Sequence, residues 1–324
     1  MELIKNPNLN FVGNRRLAYT ISIIIIAVGL ISLLVQGLNY GVDFVGGTLL
    51  QFRFNREVEV EEVREALEGL DLAKSTVQRF SPQEVIIRSP KLSSEEQDEV
   101  EKILGEIFGE VELVRVEDVG PAVGADLRRM AVTAVLVALL GILVYVSIRF
   151  EFRPGVTSIV ALAHDALVVL GMLSLFQREF SAPVLAAILT ILGYSINDSI
   201  VVMDRVRENL ALRKKGETFG ELVNRSINET LSRTVNTVLT TILPVLALLI
   251  LGGEMLRDFS FTLLIGLIAG TYSSIFVVSP LWVEWEERKP LRRQISLGKK
   301  WQIRKVKEGY LKRLSRSLSM PVSI

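Results

Sequence analysis

The 324-residue chain has no cysteine and a single histidine, His164. Without thiols it can form neither a disulfide framework nor a zinc–thiolate site. No nucleophile–base set is visible, and nothing in the pattern asks for a cofactor or a metal. Charge is also sparse: 23% of residues are charged against 49% hydrophobic, and the mean hydropathy is +0.39. A soluble chain of this length would sit near or below zero on that scale. These shortages exclude a soluble enzyme and a disulfide-stapled secreted domain.

What the chain has in abundance is long apolar runs. Stretches of about 18 or more such residues read as bilayer-spanning helices. Six are found, at about Leu17–Val35, Met130–Ile148, Val156–Phe176, Ala182–Met203, Val235–Leu251 and Phe259–Trp282. The first is too long for a signal-peptide core of about 7–15 residues, and no small-x-small site follows it, so it reads as a retained anchor. Lys and Arg set the orientation. With the N-terminus inside, the inner segments carry 24 Lys and Arg; the outer ones carry 2 once the long first loop is set aside. Both termini are therefore expected in the cytoplasm. The expected organisation is an N-terminus with span one (1–36), an extracytoplasmic domain (37–126), a five-helix membrane bundle (127–285) and a basic cytoplasmic tail (286–324).

The long first loop has a legible pattern. Residues 48–54 and 111–119 alternate as half-buried strands do, 76–80 and 84–88 are short strand candidates, and 59–70 and 93–108 carry helical spacing. The order βαββαβ is that of the ferredoxin-like α+β unit. The fold class is thus an α-helical polytopic membrane protein with that domain between its first and second spans. Between Asp43 and Asp126 there are 20 Asp and Glu against 9 Lys and Arg, a balance that repels phosphate backbones, so no nucleic-acid partner is expected.

Ionisable residues inside spans cost roughly 2.5–3.5 kcal/mol on insertion scales and need a reason to be there. Span four holds Asn197 and Asp198. Span three holds His164 and Asp165. Arg233 opens span five, followed by Asn236, Thr237, Thr240 and Thr241. Positions 233, 237, 240/241 and 244 fall on one stripe, expected to face a bundle interior. Asp198 and Arg233 should lie at similar depth. Burial and a neighbouring guanidinium act on a carboxyl group in opposite senses, so a small movement of Arg233 could decide whether Asp198 holds a proton. Alone, Arg233 would read as a snorkelling anchor; together with Asp198, Asn197 and the stripe it reads as a proton relay. His164, Asp165, Thr237 and Thr241 are candidates for its support, with packing an equal alternative for the His–Asp pair. Gly266 and Gly270 form a GxxxG, a close-packing signal within the chain or against a partner.

Several segments resemble a known family. Gly41-Val-Asp-Phe-Val-Gly-Gly47, Val119-Gly-Pro-Ala-Val-Gly124, Ala163-His-Asp165, Gly193-Tyr-Ser-Ile-Asn-Asp-Ser199 and Leu231-Ser-Arg-Thr234 are similar to signatures of the SecD/SecF protein-export family, closer to its SecF than its SecD members. The resemblance implies kinship with resistance-nodulation-division transporters, which work as two six-span repeats, so a SecD chain would supply the second. It implies preprotein as cargo, SecYEG as the channel served, protons as the driving ion, and no enzymatic activity. It maps the family's functional intramembrane Asp and Arg to Asp198 and Arg233. It makes Asp43, Phe44, Gly46 and Gly47 a motif linking the first span to the outer domain, with glycines serving backbone geometry. Two alternatives remain open: a half-size proton-driven transporter of small hydrophobic molecules or lipids, and a purely structural translocon subunit.

Overall fold

A computed structural model describes residues 8–70 and 75–288. The expected basic tail lies, from residue 289 onward, outside the described residues. Along the chain come α1 (Arg15–Val35), β1 (Asn39–Tyr40), the single turn α2 (Val42–Val45), β2 (Gly47–Phe54) and α3 (Val60–Leu67). There follow β3 (Thr76–Ser81), β4 (Glu84–Ser89), α4 (Ser94–Phe108) and β5 (Val111–Val119). The rest is helical: α5 (Pro121–Arg149), α6 (Phe152–Leu175), α7 (Ala182–Ala211), α8 (Phe219–Leu251), α9 (Gly253–Ser273) and α10 (Ser279–Glu287), with β6 (Glu179–Phe180) before α7. Among the described residues six helices are long and apolar enough to cross a membrane: α1, α5, α6, α7, α8 and the run Leu256–Glu287.

Several helices outrun their apolar stretches. Thr218 accepts from the Glu221 amide while Glu221 reaches back, a capping box that starts α8 at Phe219, well before Val235. Pro121 stands at the first turn of α5, where its missing N–H costs nothing, and starts that helix ahead of Met130. Both overhangs carry too many polar and charged residues to read as membrane-spanning, although Phe219, Leu222, Val223 and Ile227 of α8 join an apolar core, so hydropathy alone does not see them. The last span includes a π-type turn at Ser274–Val278 before Pro280.

α6, α7 and the α9–α10 run form the buried centre of the bundle; α1 and α5 expose most of their length. Small residues govern the closest approaches, as expected where lipid removes the hydrophobic drive between helices. On α1 the buried face is Ala18, Ser22, Gly29 and Ser32. A Cβ on Gly29 would stand 2.9 Å from Gly171 Cα of α6, so the two backbones nearly touch. Gly266 meets the Ile191 side chain and Gly270 meets Ser195, both on α7. The GxxxG therefore packs within the chain.

Between α1 and α5 lies an α+β domain. Its antiparallel sheet has the order β3-β4-β2-β5. Phe52, Phe54, Val85 and Ile87 meet Val63 and Leu67 of α3 and Val100, Leu104 and Phe108 of α4 in one apolar core. Burying side chains of this kind contributes about 1.5–3 kcal/mol each. β2 differs from the half-buried pattern expected of it: every residue but Arg53 is buried. Val42, next to the bundle, packs with Leu49 and Ile86 and so covers the second face as well.

Candidate functional site

Asp198 lies on the inward face of α7 and is only 4% exposed. The Thr234 hydroxyl on α8 donates to its Oδ1 over a long 3.4 Å. The other oxygen, Oδ2, is buried with no hydrogen-bond partner among the described residues. Buried polar atoms are normally satisfied, so this one marks a functional candidate.

Arg233 immediately precedes that threonine but is exposed on the surface of the chain. Among the described residues no ion pair joins it to Asp198. Asn197 is also exposed, since adjacent helical positions point about 100° apart. The chain by itself thus brings together Asp198 and Thr234, and leaves Asn197 and Arg233 on its outer face.

The polar stripe of α8 is placed differently from expectation. Thr230, Leu231, Thr234, Val238 and Val245 form the buried face. Arg233, Thr240 and Pro244 are exposed, and Thr237 and Thr241 partly so. The buried side of α8 thus mixes Thr230 and Thr234 with apolar residues, and the stripe lies at its edge and on the outside of this chain. Tyr194 of α7 ties the stripe down: its hydroxyl donates to the Thr237 carbonyl (3.1 Å) and lies 3.0 Å from Thr241 Oγ1.

His164 and Asp165 form a second, closed centre. His164 Nδ1 is 3.0 Å from Asp165 Oδ1, and its Nε2 is 3.1 Å from Ser22 Oγ on α1. Asp165 is fully buried, and its Oδ2 accepts from Ser195 Oγ of α7 (2.6 Å) and Ser273 Oγ of α9 (2.8 Å). Tyr272 stacks on His164 and donates to the Ala18 carbonyl. Four helices meet here, and both oxygens of Asp165 are used.

The glycine motif forms a third cluster, where the bundle meets the α+β domain. Phe44 is buried against Phe180, Val169 and Leu173. Arg128 of α5 donates to the Phe44 carbonyl. Gly46 has φ +81°, and a Cβ there would stand 2.8 Å from Pro121 Cα; Gly47 has φ +129°, and its Cβ would stand 2.3 Å from the Ser89 carbonyl oxygen. Both positions require glycine on conformational and steric grounds. The Asp43 carboxylate accepts from the Ala182 amide at 2.8 Å, at the first residue of α7.

Two family signatures match these places. Residues 99–288 match the C-terminal family of protein export membrane proteins SecD/SecF, and residues 31–58 match the SecD/SecF GG motif. The chain belongs to the SecD/SecF protein-export family. Over 287 residues it is 46% identical to the protein translocase subunit SecF of Magnetococcus marinus, covering 86% of this chain and 92% of that one. For the SecF of Pseudomonas aeruginosa the identity is 40% over 279 residues, covering 85% and 91%. The SecDF of Thermus thermophilus shares 47% identity over 291 residues, 88% of this chain but 39% of its own. The crystal structure of SecDF from that organism matches with a TM-score of 0.82 at 47% identity, again over 87% of this chain and 39% of its own. In that SecD/SecF relative, a chain like this one is one portion of a longer polypeptide.

Sequence reasoning gave no role to Thr234, Tyr194 or the hydroxyls of Ser22, Ser195, Ser273 and Tyr272, although Tyr194, Ser195 and Thr234 lie in the segments that resemble the family. A signal existed for some of them. A carboxylate as deep as Asp165 needs donors, and serines on neighbouring apolar helices are the available ones.

Proposed function

We propose that this chain is the SecF-type subunit of a protein translocase accessory complex, using the proton-motive force to promote preprotein movement through a SecYEG-type channel. SecF-type relatives along nearly their whole length support the assignment. The β3-β4-β2-β5 order supports reading the α+β domain as ferredoxin-like, and the Lys and Arg balance supports placing it outside the cytoplasm with both termini inside.

The partner is a SecD-type chain. In the SecDF relative this chain's counterpart is joined to a longer polypeptide. A polar stripe facing lipid would be costly; a second repeat seated over Asn197, Arg233, Thr237 and Thr240 removes that cost and supplies further groups around Asp198.

The observation that carries the proton reading is the free oxygen of Asp198. Of the two buried carboxylates, Asp165 spends both oxygens on protein donors, whereas Asp198 keeps one open to take and release a proton. A proton crossing the membrane releases about 2.3 kcal/mol per 100 mV, enough to bias a modest helix rearrangement. With Asp198→Asn, the complex should assemble with its SecD-type partner yet lose proton-driven stimulation of export. Full stimulation in that variant would reject the reading.

A further inference from the structure

Helix α7 has no cap of its own. Ser181 at its N-cap makes no side-chain capping bond, and Pro183 has no amide hydrogen to offer. The cap comes from a distant part of the chain, the Asp43 carboxylate on the Ala182 amide. A carboxylate at the positive end of a helix is a natural pairing. Asp43 is followed by Phe44 and by Gly46-Gly47, the start of β2, the central strand flanked by β4 and β5.

A second contact runs in parallel. Glu179, just before α7, pairs through Oε2 with Arg88 Nη2 of β4 at 2.5 Å, and both side chains are largely buried. The backbones meet as well: β1 and β6 pair in parallel, Asn39 with Glu179 and Tyr40 with Phe180, and the Gly41 amide donates to the Phe180 carbonyl at 3.0 Å. The N-terminal end of α7 is therefore held by the α2 turn that leads into β2 and, through Glu179, by strand β4. Asp198 sits on the same helix, about 24 Å from Ala182 at 1.5 Å per residue.

We propose that Asp43 and the Arg88–Glu179 pair are positioning residues that couple helix α7 to the α+β domain, so that a displacement of α7 at Asp198 is delivered to strands β2 and β4. The inference rests on the proton reading of Asp198 given above. A helix is stiff along its axis, so movement at one end arrives at the other. Beside the β1–β6 backbone pairing, the side-chain attachments at that end are a carboxylate–amide bond and an ion pair, which can shift without breaking covalent structure.

The cysteine-free chain makes the test direct. In the full-length chain assembled with its SecD-type partner in vesicles, spin labels at Leu34→Cys and Lys102→Cys report the α+β domain against α1. Labels at Leu34→Cys and Ala186→Cys report the outer end of α7. Asp198→Asn mimics the protonated acid and is expected to shift both distances. Adding Asp43→Ala with Glu179→Gln should leave the α7 shift in place and abolish the domain shift, whereas Asp43→Asn, which keeps an acceptor oxygen, should retain it. The exchange Arg88→Glu with Glu179→Arg, made in an Asp43→Asn background, should also retain the domain shift and guards against simple misfolding. A domain shift that persists in the Asp43→Ala, Glu179→Gln variant overturns the coupling while sparing the proton reading. If Asp198→Asn moves neither distance, the proton reading falls and the coupling falls with it.

Discussion

Asp165 and Asp198 are both buried, so the use of their oxygens separates their roles. Asp165 holds His164, Ser195 and Ser273 together across three helices. Asp165→Ala would strand those donors, at about 1–3 kcal/mol for each unsatisfied buried group. The expected outcome is a drop in thermal stability of the purified complex that Asp198→Ala does not share; equal effects of the two would contradict the distinction. Backbone geometry gives a second residue-scale expectation. Gly47→Ala places a Cβ against the Ser89 carbonyl at φ +129°, and such a conformation alone costs about 1–3 kcal/mol. Melting of the intact chain should show the loss, whereas Gly105→Ala, in open space at an ordinary helical position, should not. Asp198 was legible from sequence because a carboxylate in an apolar run has no cheap explanation. The direction of Arg233 was not, because which face of α8 packs inward depends on where Thr230, Thr234 and Val238 find their neighbours.

Elements with a local cause were the easiest to read. The strands and helices of the α+β domain lie where alternation and helical spacing predict them. Ser93 caps α4, and Glu96 completes the box by accepting from the Ser93 amide and hydroxyl. Those two bonds hold the Glu96 carboxyl below the ordinary glutamate value. A lowered folded-state value makes the cap's contribution complete above the unfolded carboxylate range, and it is lost as pH falls through the folded value. Amide protection in the first turn of α4 should therefore decline on acidification below about pH 4.3, the ordinary carboxylate range. In Glu96→Gln it should be weaker at neutral pH and nearly flat across the same interval; an unchanged pH response would contradict the cap's role. The elements that sequence could not show were β1, β6 and α2. Two-residue strands that join the start of the long first loop to the short connection between α6 and α7 carry no periodicity, and only tertiary contact defines them. The helix overhangs at Phe219 and Pro121 were hidden for the opposite reason, since their signal is capping rather than hydropathy.

At the scale of the whole molecule, the membrane helices of the chain carry an exposed polar face. α8 presents Arg233 and Thr240 outward, with Thr237 and Thr241 partly exposed beside them, and Asn197 of α7 is exposed too. A single cysteine at Thr240 should cross-link efficiently to a SecD-type chain in native membranes, whereas one at Ile23 on the exposed side of α1 should not; the reverse pattern would contradict the placement of the second repeat. The proton reading is tested most directly by translocation into inverted vesicles in which a proton gradient is imposed or collapsed at fixed ATP. With the native chain, collapse of the gradient should slow preprotein movement; with Asp198→Asn, in a complex present at the same level, the rate should match the collapsed-gradient rate whether or not a gradient is present. A gradient response in Asp198→Asn equal to that of the native chain would contradict a proton-binding role for this carboxylate.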